Sequence, residues 1–172
     1  MEHRRQERTG RLGGADRRET LSDPKSDARP DNHAVELIVP SDPKYMKLVR
    51  GLVAAAAQVV GFERGDVNQL CLAVDEACTN VIRHAYGGDH KQKIEVHLAM
   101  HPDRLEVKLR DYGRQADPAE IKARDLTDIR PGGLGVHFIR EIMDDVVYDT
   151  NREVGTELRM TKSRPQERQE HP

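Results

Sequence analysis

Between Gly65 and Ala85 the apolar residues Val67, Leu70, Cys71, Val74, Ala77, Cys78, Val81, Ile82 and Ala85 recur with a period of about 3.6 residues, that of an α-helix. A stripe this regular has to be buried, so the fold must be organised around this helix. Beside it, Glu76, Asn80 and His84 follow one another at intervals of four. Each such step advances about 40° around the axis, so the three polar groups form a slanting band along the stripe. A solvated face accounts for the band as readily as a shared cavity does. Ala73 and Ala77 adjoin it, and side chains that small would let a ligand approach the backbone.

The elements around this helix define one domain. AVELIVP alternates apolar and polar residues as a strand does, and Ser41 and Pro43 then mark a helix start. That first helix runs to Val60 and stops at Gly61; the second ends at Gly87-Gly88. KIEVHLAMH and LEVKLRDYG, joined by Pro102-Asp103-Arg104, read as an antiparallel hairpin. A loop of about 20 residues precedes GGLGVHFIREIM, a helix opened by glycines, and DVVYDTN with GTELRMTK forms a closing hairpin. The pattern predicts an α+β two-layer sandwich, a mixed or antiparallel sheet with helices on one face.

Composition limits what such a domain can do. A formal net charge of −2 and a pI of about 6.4 give none of the basic excess that binds nucleic acid electrostatically. Residues 1–32 hold eight Lys or Arg, seven Asp or Glu and five apolar residues, too few to offset the entropy of ordering them. We expect this segment to be a disordered tail, residues 33–162 to form the domain, and SRPQERQEHP (163–172) to be a second tail. The N-terminus lacks an apolar targeting segment and no stretch approaches the roughly 20 apolar residues of a membrane span. A soluble, cytoplasmic protein is expected. Cys71 and Cys78 fit the apolar stripe and read as small core residues rather than a disulfide or metal pair. His97 and His101 share a strand face, but no third ligand at regular spacing makes them a zinc site.

Two further motifs bear on the polar band. Asp111-Tyr112-Gly113 puts a carboxylate at the end of a strand pattern with a glycine two residues on, an arrangement equally common in plain turns. Gly132-Gly133-Leu134-Gly135 opens a helix, and bare N–H groups at a helix N-terminus suit a phosphate. No G-x-x-x-x-G-K-S/T stretch exists, so an ordinary P-loop is excluded.

In this order, and with E-A-x-x-N-x-x-x-H-A-Y written as EACTNVIRHAY, these elements resemble the GHKL ATPases, which include gyrase-type, histidine-kinase and MutL nucleotide-binding domains. The anti-sigma factor serine/threonine kinases of bacteria are the branch the chain is most similar to. The resemblance spans His33 to Lys162 and implies the histidine kinase-like ATPase, or Bergerat, fold, binding ATP or ADP with Mg²⁺. By it Glu76 is the general base and Asn80 the Mg²⁺ ligand. His84 is a phosphate-side residue, and Arg130 a helper in the ATP lid. Asp111 accepts the adenine amino group while Gly113 lets the base lie against the backbone. Gly132, Gly133 and Gly135 form the hinge and phosphate end of the lid, and Gly155-Thr156 closes the adenine pocket. The chain departs from the D-x-G-x-G of many members, reading Asp111-Tyr112-Gly113-Arg114-Gln115.

The resemblance further implies a homodimer that phosphorylates a serine or threonine of a STAS-type anti-anti-sigma factor and thereby controls release of a sigma factor. A different class remains open at this point: a module that binds ATP and a protein without kinase activity. A general ATPase of the gyrase type would need a transducer domain for which this chain has no room, and a sensor histidine kinase would need a phospho-accepting helix upstream. Deleting residues 1–32 should leave the melting temperature and nucleotide affinity unchanged, because so charged a segment contributes little to a core. A large drop in thermal stability on truncation would contradict that reading.

Overall fold

The computed structural model describes residues 33–116 and 134–165. Strand β1 (His33–Pro40) is followed by helices α1 (Met46–Val60) and α2 (Arg64–Asn80), the latter continuing as a π-helical turn over Val81–Ala85. Strands β2 (Lys93–Met100) and β3 (Arg104–Arg110) come next, then helix α3 (Leu134–Ile142) and strands β4 (Asp145–Asp149) and β5 (Glu157–Ser163). The five strands form one sheet in the order β1-β2-β3-β5-β4. Every neighbouring pair is antiparallel, so of the two arrangements the pattern allowed, the antiparallel one is realised.

Alternation along the strands sorts the sheet into two faces. Ile94, Val96 and Leu98 of β2, Leu105, Val107 and Leu109 of β3, and Leu158 and Met160 of β5 are all buried on one face. That face is covered by helices: α1 packs on β2 and β3, α2 on α1, α3 and β3, and α3 on β4. Glu95, His97, Glu106, Lys108, Glu157 and Arg159 line the opposite face. There Glu157 pairs with Arg152 and Arg159, and Glu95 with Lys93. A two-layer sandwich with its helices on one side follows from that asymmetry.

The helix boundaries have local causes. Asp42, rather than Ser41, caps the entry: its carboxylate accepts the Lys44 N–H at 3.0 Å and opens a 3₁₀ turn, Pro43–Tyr45, ahead of α1. Ser41 is fully buried and turned away, donating its hydroxyl to the Asp89 carbonyl at 2.6 Å, which ties the end of β1 to the glycine turn after α2. Helix α1 ends at Gly61, left-handed at φ 91°, whose N–H reaches the Ala57 and Gln58 carbonyls.

Cys78 lies in the core, and burial pushes its thiol up to about 12. Cys71 is half-buried at the seam between α1 and α2, where its thiol donates to the Arg50 carbonyl at 3.5 Å. Arg50 and Asp75 close the same seam as an ion pair at 2.7 Å. Both cysteines are free. His97 and His101 face different carboxylates. Nε2 of His97 stands 3.8 Å from Glu36 and 3.9 Å from Glu95, whereas that of His101 stands 3.1 Å from Glu106. At the first of these clusters the other Glu95 oxygen is held by the Lys93 ammonium and the Tyr112 hydroxyl, so positive charge is already supplied.

At the far end Ser163 completes β5 and accepts no fraying: its N–H donates to Asp144 and that of Arg164 to the Asp103 carbonyl, both at 2.7 Å. Leu98, fully buried and paired with Val35 and Val107 on its two neighbouring strands, sits at the centre of this layer. Leu98→Ala should cost about 3 kcal/mol of stability through lost burial and the cavity left behind. A denaturant midpoint shifted to lower concentration at unchanged slope would show it.

Candidate nucleotide site

Helix α2 is the spine of the site. Glu76 and Asn80 stand one turn apart on it, both half-buried. Ala73 and Ala77, expected beside a ligand, are instead buried in the core, at 0% and 1% exposure. They belong to the stripe, and α3 packs across this part of the helix. Its N-terminal turn comes down on Glu76: a Cβ placed on Gly135 would lie 2.5 Å from the Glu76 carboxyl carbon and overlap its oxygen. A side chain at position 135 would displace the Glu76 carboxylate from this place. The glycine-opened helix and the carboxylate, far apart in sequence, are thus brought into contact.

After Asn80 the helix widens. The Tyr86 N–H reaches back five residues to the Val81 carbonyl at 3.1 Å, which defines the π turn, and Gly88 closes it by donating to Ile82 at 2.8 Å. One α-helix through Ala85 was the expectation; the change of pitch at Val81 is a finding of the structure. Such single π turns are frequent at functional sites. His84 lies beyond the change, exposed to solvent. The widened turn also presents the Ala85 carbonyl sideways, where it accepts the Arg114 N–H at 2.9 Å.

That bond belongs to a fully paired loop. Four successive N–H groups after β3 each have an acceptor. Asp111 donates to the Thr156 carbonyl at 3.1 Å and Tyr112 to the Tyr86 hydroxyl at 2.9 Å. Gly113 donates to the Asp111 carboxylate at 3.0 Å, and Arg114 to Ala85. Each of these N–H groups is paired within the protein, which favours this conformation of the loop. Two glycines permit the approach. A Cβ on Gly113 would meet the Ala85 carbonyl carbon at 2.6 Å, and one on Gly155 would meet the Asp111 carbonyl carbon at 2.7 Å. Gly155 is also left-handed, at φ 69°. Thr156, buried at the start of the last strand, accepts the Ala116 N–H on its hydroxyl at 3.0 Å.

Asp111 is 3% exposed. Burial raises its carboxyl above the usual aspartate value, with the Gly113 and Thr156 backbone opposing the rise. The structure therefore joins Glu76 to Gly135, and Asp111, Gly113 and Thr156 to the C-terminal end of α2. Arg130, Gly132 and Gly133 lie outside the described residues. Sequence spacing gave no role to Tyr86, although a tyrosine closing a helix before two glycines is the kind of residue that buries a ring and keeps its hydroxyl bonded.

A helix that carries a carboxylate and an amide under a glycine-containing helix start, with a buried aspartate loop at its far end, makes one candidate site. Residues 39–162 match the model of the histidine kinase-like ATPase domain. The chain belongs to that family and, within it, to the RsbW-type serine-protein kinases, which makes it an ATP-binding protein kinase. Serine-protein kinase RsbW of Bacillus velezensis is 34% identical over 146 residues, covering 80% of this chain and 89% of that one. The Bacillus subtilis protein of the same name is 32% identical with the same coverage. That of Halalkalibacterium halodurans is 31% identical over 136 residues, 74% of this chain and 82% of its own. The crystal structure of the RsbU and RsbW domains of a Mycobacterium tuberculosis protein superposes with a TM-score of 0.55 at 17% identity. It covers 77% of this chain and 33% of that one and shows the shared fold. Among the described residues no helix is long and apolar enough to cross a membrane.

The raised Asp111 value fixes the sign of a pH effect. The native state holds this proton more tightly than the unfolded chain does, so between the two values Asp111's contribution to stability falls as pH rises. Asp111→Asn keeps an acceptor for the Gly113 N–H and is never charged. Without nucleotide it should be at least as stable as the native protein at neutral pH, and the difference should shrink on acidification. Melting temperatures of the two proteins across pH 3 to 7, roughly the span over which carboxyl groups in proteins titrate, check this.

Proposed function

We propose that this kinase binds Mg·ATP and transfers the γ-phosphoryl group to a serine or threonine of a STAS-type anti-anti-sigma protein, and that this partner competes with a sigma factor for the same domain. The observation that carries the reading is the contact of Gly135 with Glu76. It puts the start of a glycine-opened helix over a half-buried carboxylate, with Asn80 one turn further along.

Phosphoryl transfer asks the protein for positioning and charge neutralisation more than for covalent chemistry. Glu76 accepts the proton of the incoming hydroxyl, and its half-buried setting on α2 keeps it aimed at one point. The Asn80 side-chain oxygen, with phosphate oxygens, makes a hard-oxygen donor set, which suits Mg²⁺. When bound, that ion neutralises charge on the phosphates. Gly135, with Gly132 and Gly133 before it, leaves the helix N–H groups open to phosphate, while Arg130 adds positive charge and His84 stands on the phosphate side.

Asp111, ionised, accepts the adenine amino group. Gly113 lets the base lie flat, and Thr156 holds the loop against the last strand. The raised Asp111 value makes this recognition fade on acidification earlier than an exposed aspartate would allow. Similarity to the anti-sigma kinases supports a homodimer working in the cytoplasm.

Glu76→Gln keeps the shape of the side chain and removes its basicity. Transfer to the partner should fall by about 10²- to 10⁴-fold while nucleotide affinity changes little. Asn80→Ala should instead weaken Mg²⁺-dependent nucleotide binding itself. Labelled ATP, with partners that co-purify with the chain, separates the two steps. Transfer by Glu76→Gln at the native rate would place the base elsewhere. Tight ATP and partner binding by the native protein without any phosphoprotein would make it a binding module.

A further inference from the structure

Tyr86 occupies a position that neither Asp111 nor Gly113 could hold without it. Its ring is buried at the end of the π turn, and a Cβ on Gly113 would touch its Cδ1 at 2.9 Å, so the ring forms the floor on which the glycine rests. Its hydroxyl is used twice. It accepts the Tyr112 N–H at 2.9 Å and donates to the Lys93 carbonyl at the start of β2. A donor and an acceptor are thus served by one group.

Tyr112 is the residue between the aspartate and the glycine. Its own side chain is anchored on the far face of the sheet, with Lys93 Nζ 4.3 Å and Arg110 Cζ 4.7 Å from the ring centroid and its hydroxyl 3.0 Å from Glu95. The ring therefore fixes Tyr112 from outside, and the Tyr86 hydroxyl fixes its backbone from inside. Rotation of the Asp111–Tyr112 peptide would redirect the chain that follows and carry the Gly113 N–H away from the Asp111 carboxylate that accepts it. The Tyr86 hydroxyl stands against that rotation at the peptide's own N–H, with the Asp111 and Arg114 N–H bonds on either side of it.

We propose that Tyr86 is a positioning residue for base selection: through the Tyr112 N–H it sets the direction of the Asp111 carboxylate, and so the preference for a 6-amino over a 6-oxo purine. This rests on the reading of Asp111 as the adenine acceptor.

Tyr86→Phe deletes the hydroxyl and keeps the ring, leaving the Tyr112 N–H and the Lys93 carbonyl unpaired. Equilibrium titration with ATP and GTP, both with Mg²⁺, on the full chain gives a selectivity ratio that a merely destabilised but folded protein would retain. In Tyr86→Phe the affinity for ATP should fall about five- to tenfold, the equivalent of one neutral hydrogen bond, with GTP little changed. Asp111→Asn should also lower the ratio, since an amide offers an NH₂ where the carboxylate offered acceptors. The double variant should lose no more selectivity than Asp111→Asn alone.

Selectivity lost in Asp111→Asn but native in Tyr86→Phe would overturn the role of Tyr86 and leave that of Asp111 standing. Native selectivity in both would remove the adenine assignment and this proposal with it. Additive losses in the double variant would show that Tyr86 acts independently of Asp111, against the proposal. Should Tyr86→Phe fail to fold, amide hydrogen exchange of the native protein decides. The Tyr112 amide should be protected and become more so with saturating ATP, and exchange at the rate of a free amide in both states would refute the contact.

Discussion

Two demands meet on α2. Its apolar stripe has to close the core between α1, α3 and the sheet, with Leu70, Val74 and Cys78 fully buried, while the adjoining flank has to keep Glu76 and Asn80 only half covered. A uniform helix satisfies both only over a limited length. Steps of four drift by about 40° each, so a polar band begun at Glu76 is carried round the axis within a few turns. The helix responds at Val81 by changing pitch, which keeps Ile82 buried and turns Arg83 and His84 out to solvent. The site lies where the core requirement and the polar band part company.

The change of pitch creates the second half of the site. A regular α-helix would direct the Ala85 carbonyl along its own axis, towards a later N–H of the same helix. Here the chain leaves through Gly87 and Gly88, both with positive φ, and the carbonyl is available to Arg114. Together with the Tyr86 hydroxyl it takes two of the four consecutive N–H groups of the aspartate loop. Thr156 and Asp111 itself take the others. The loop is therefore suspended between the end of a helix and the start of β5. Its shape is dictated by backbone pairing, so the buried aspartate is held by neighbours that are mostly main chain.

How far this was legible in the residues follows from the same distinction. Residue pattern and turn signals located the five strands and three α-helices, because burial on one side writes a period of about 3.6 or 2 into the sequence. It also located Glu76 and Asn80, since a polar band on a buried helix is a break in that pattern. The π turn left no such trace: Val81, Ile82 and Ala85 fit an α-helical stripe, and the widening shows only in which carbonyl the Tyr86 N–H reaches. Ser41 was misread as the helix cap because serine and aspartate are both good caps, and only the long-range bond to Asp89 separates them. Ala73 and Ala77 read as room for a ligand and are buried in the core. Small residues mark close approach, but the sequence alone does not say by what. Gly135 illustrates the converse, since its missing side chain is filled by Glu76, a partner no spacing rule would have indicated.

The outer face of the sheet bears on the site at one place. Most of its charges pair with near neighbours at the surface, where such pairs contribute little to stability. Lys93 is different by position rather than by strength. Its carbonyl takes the Tyr86 hydroxyl on the inner side, while its ammonium lies over the Tyr112 ring and against Glu95 on the outer side. β2 begins at this residue, directly after the glycine turn that ends α2. A displacement of Lys93 would consequently be felt through both tyrosines at once, and both lead to the backbone between Asp111 and Gly113. The charged face is connected to the aspartate loop through Lys93, beside the contacts that Glu95 and Arg110 make with the Tyr112 side chain.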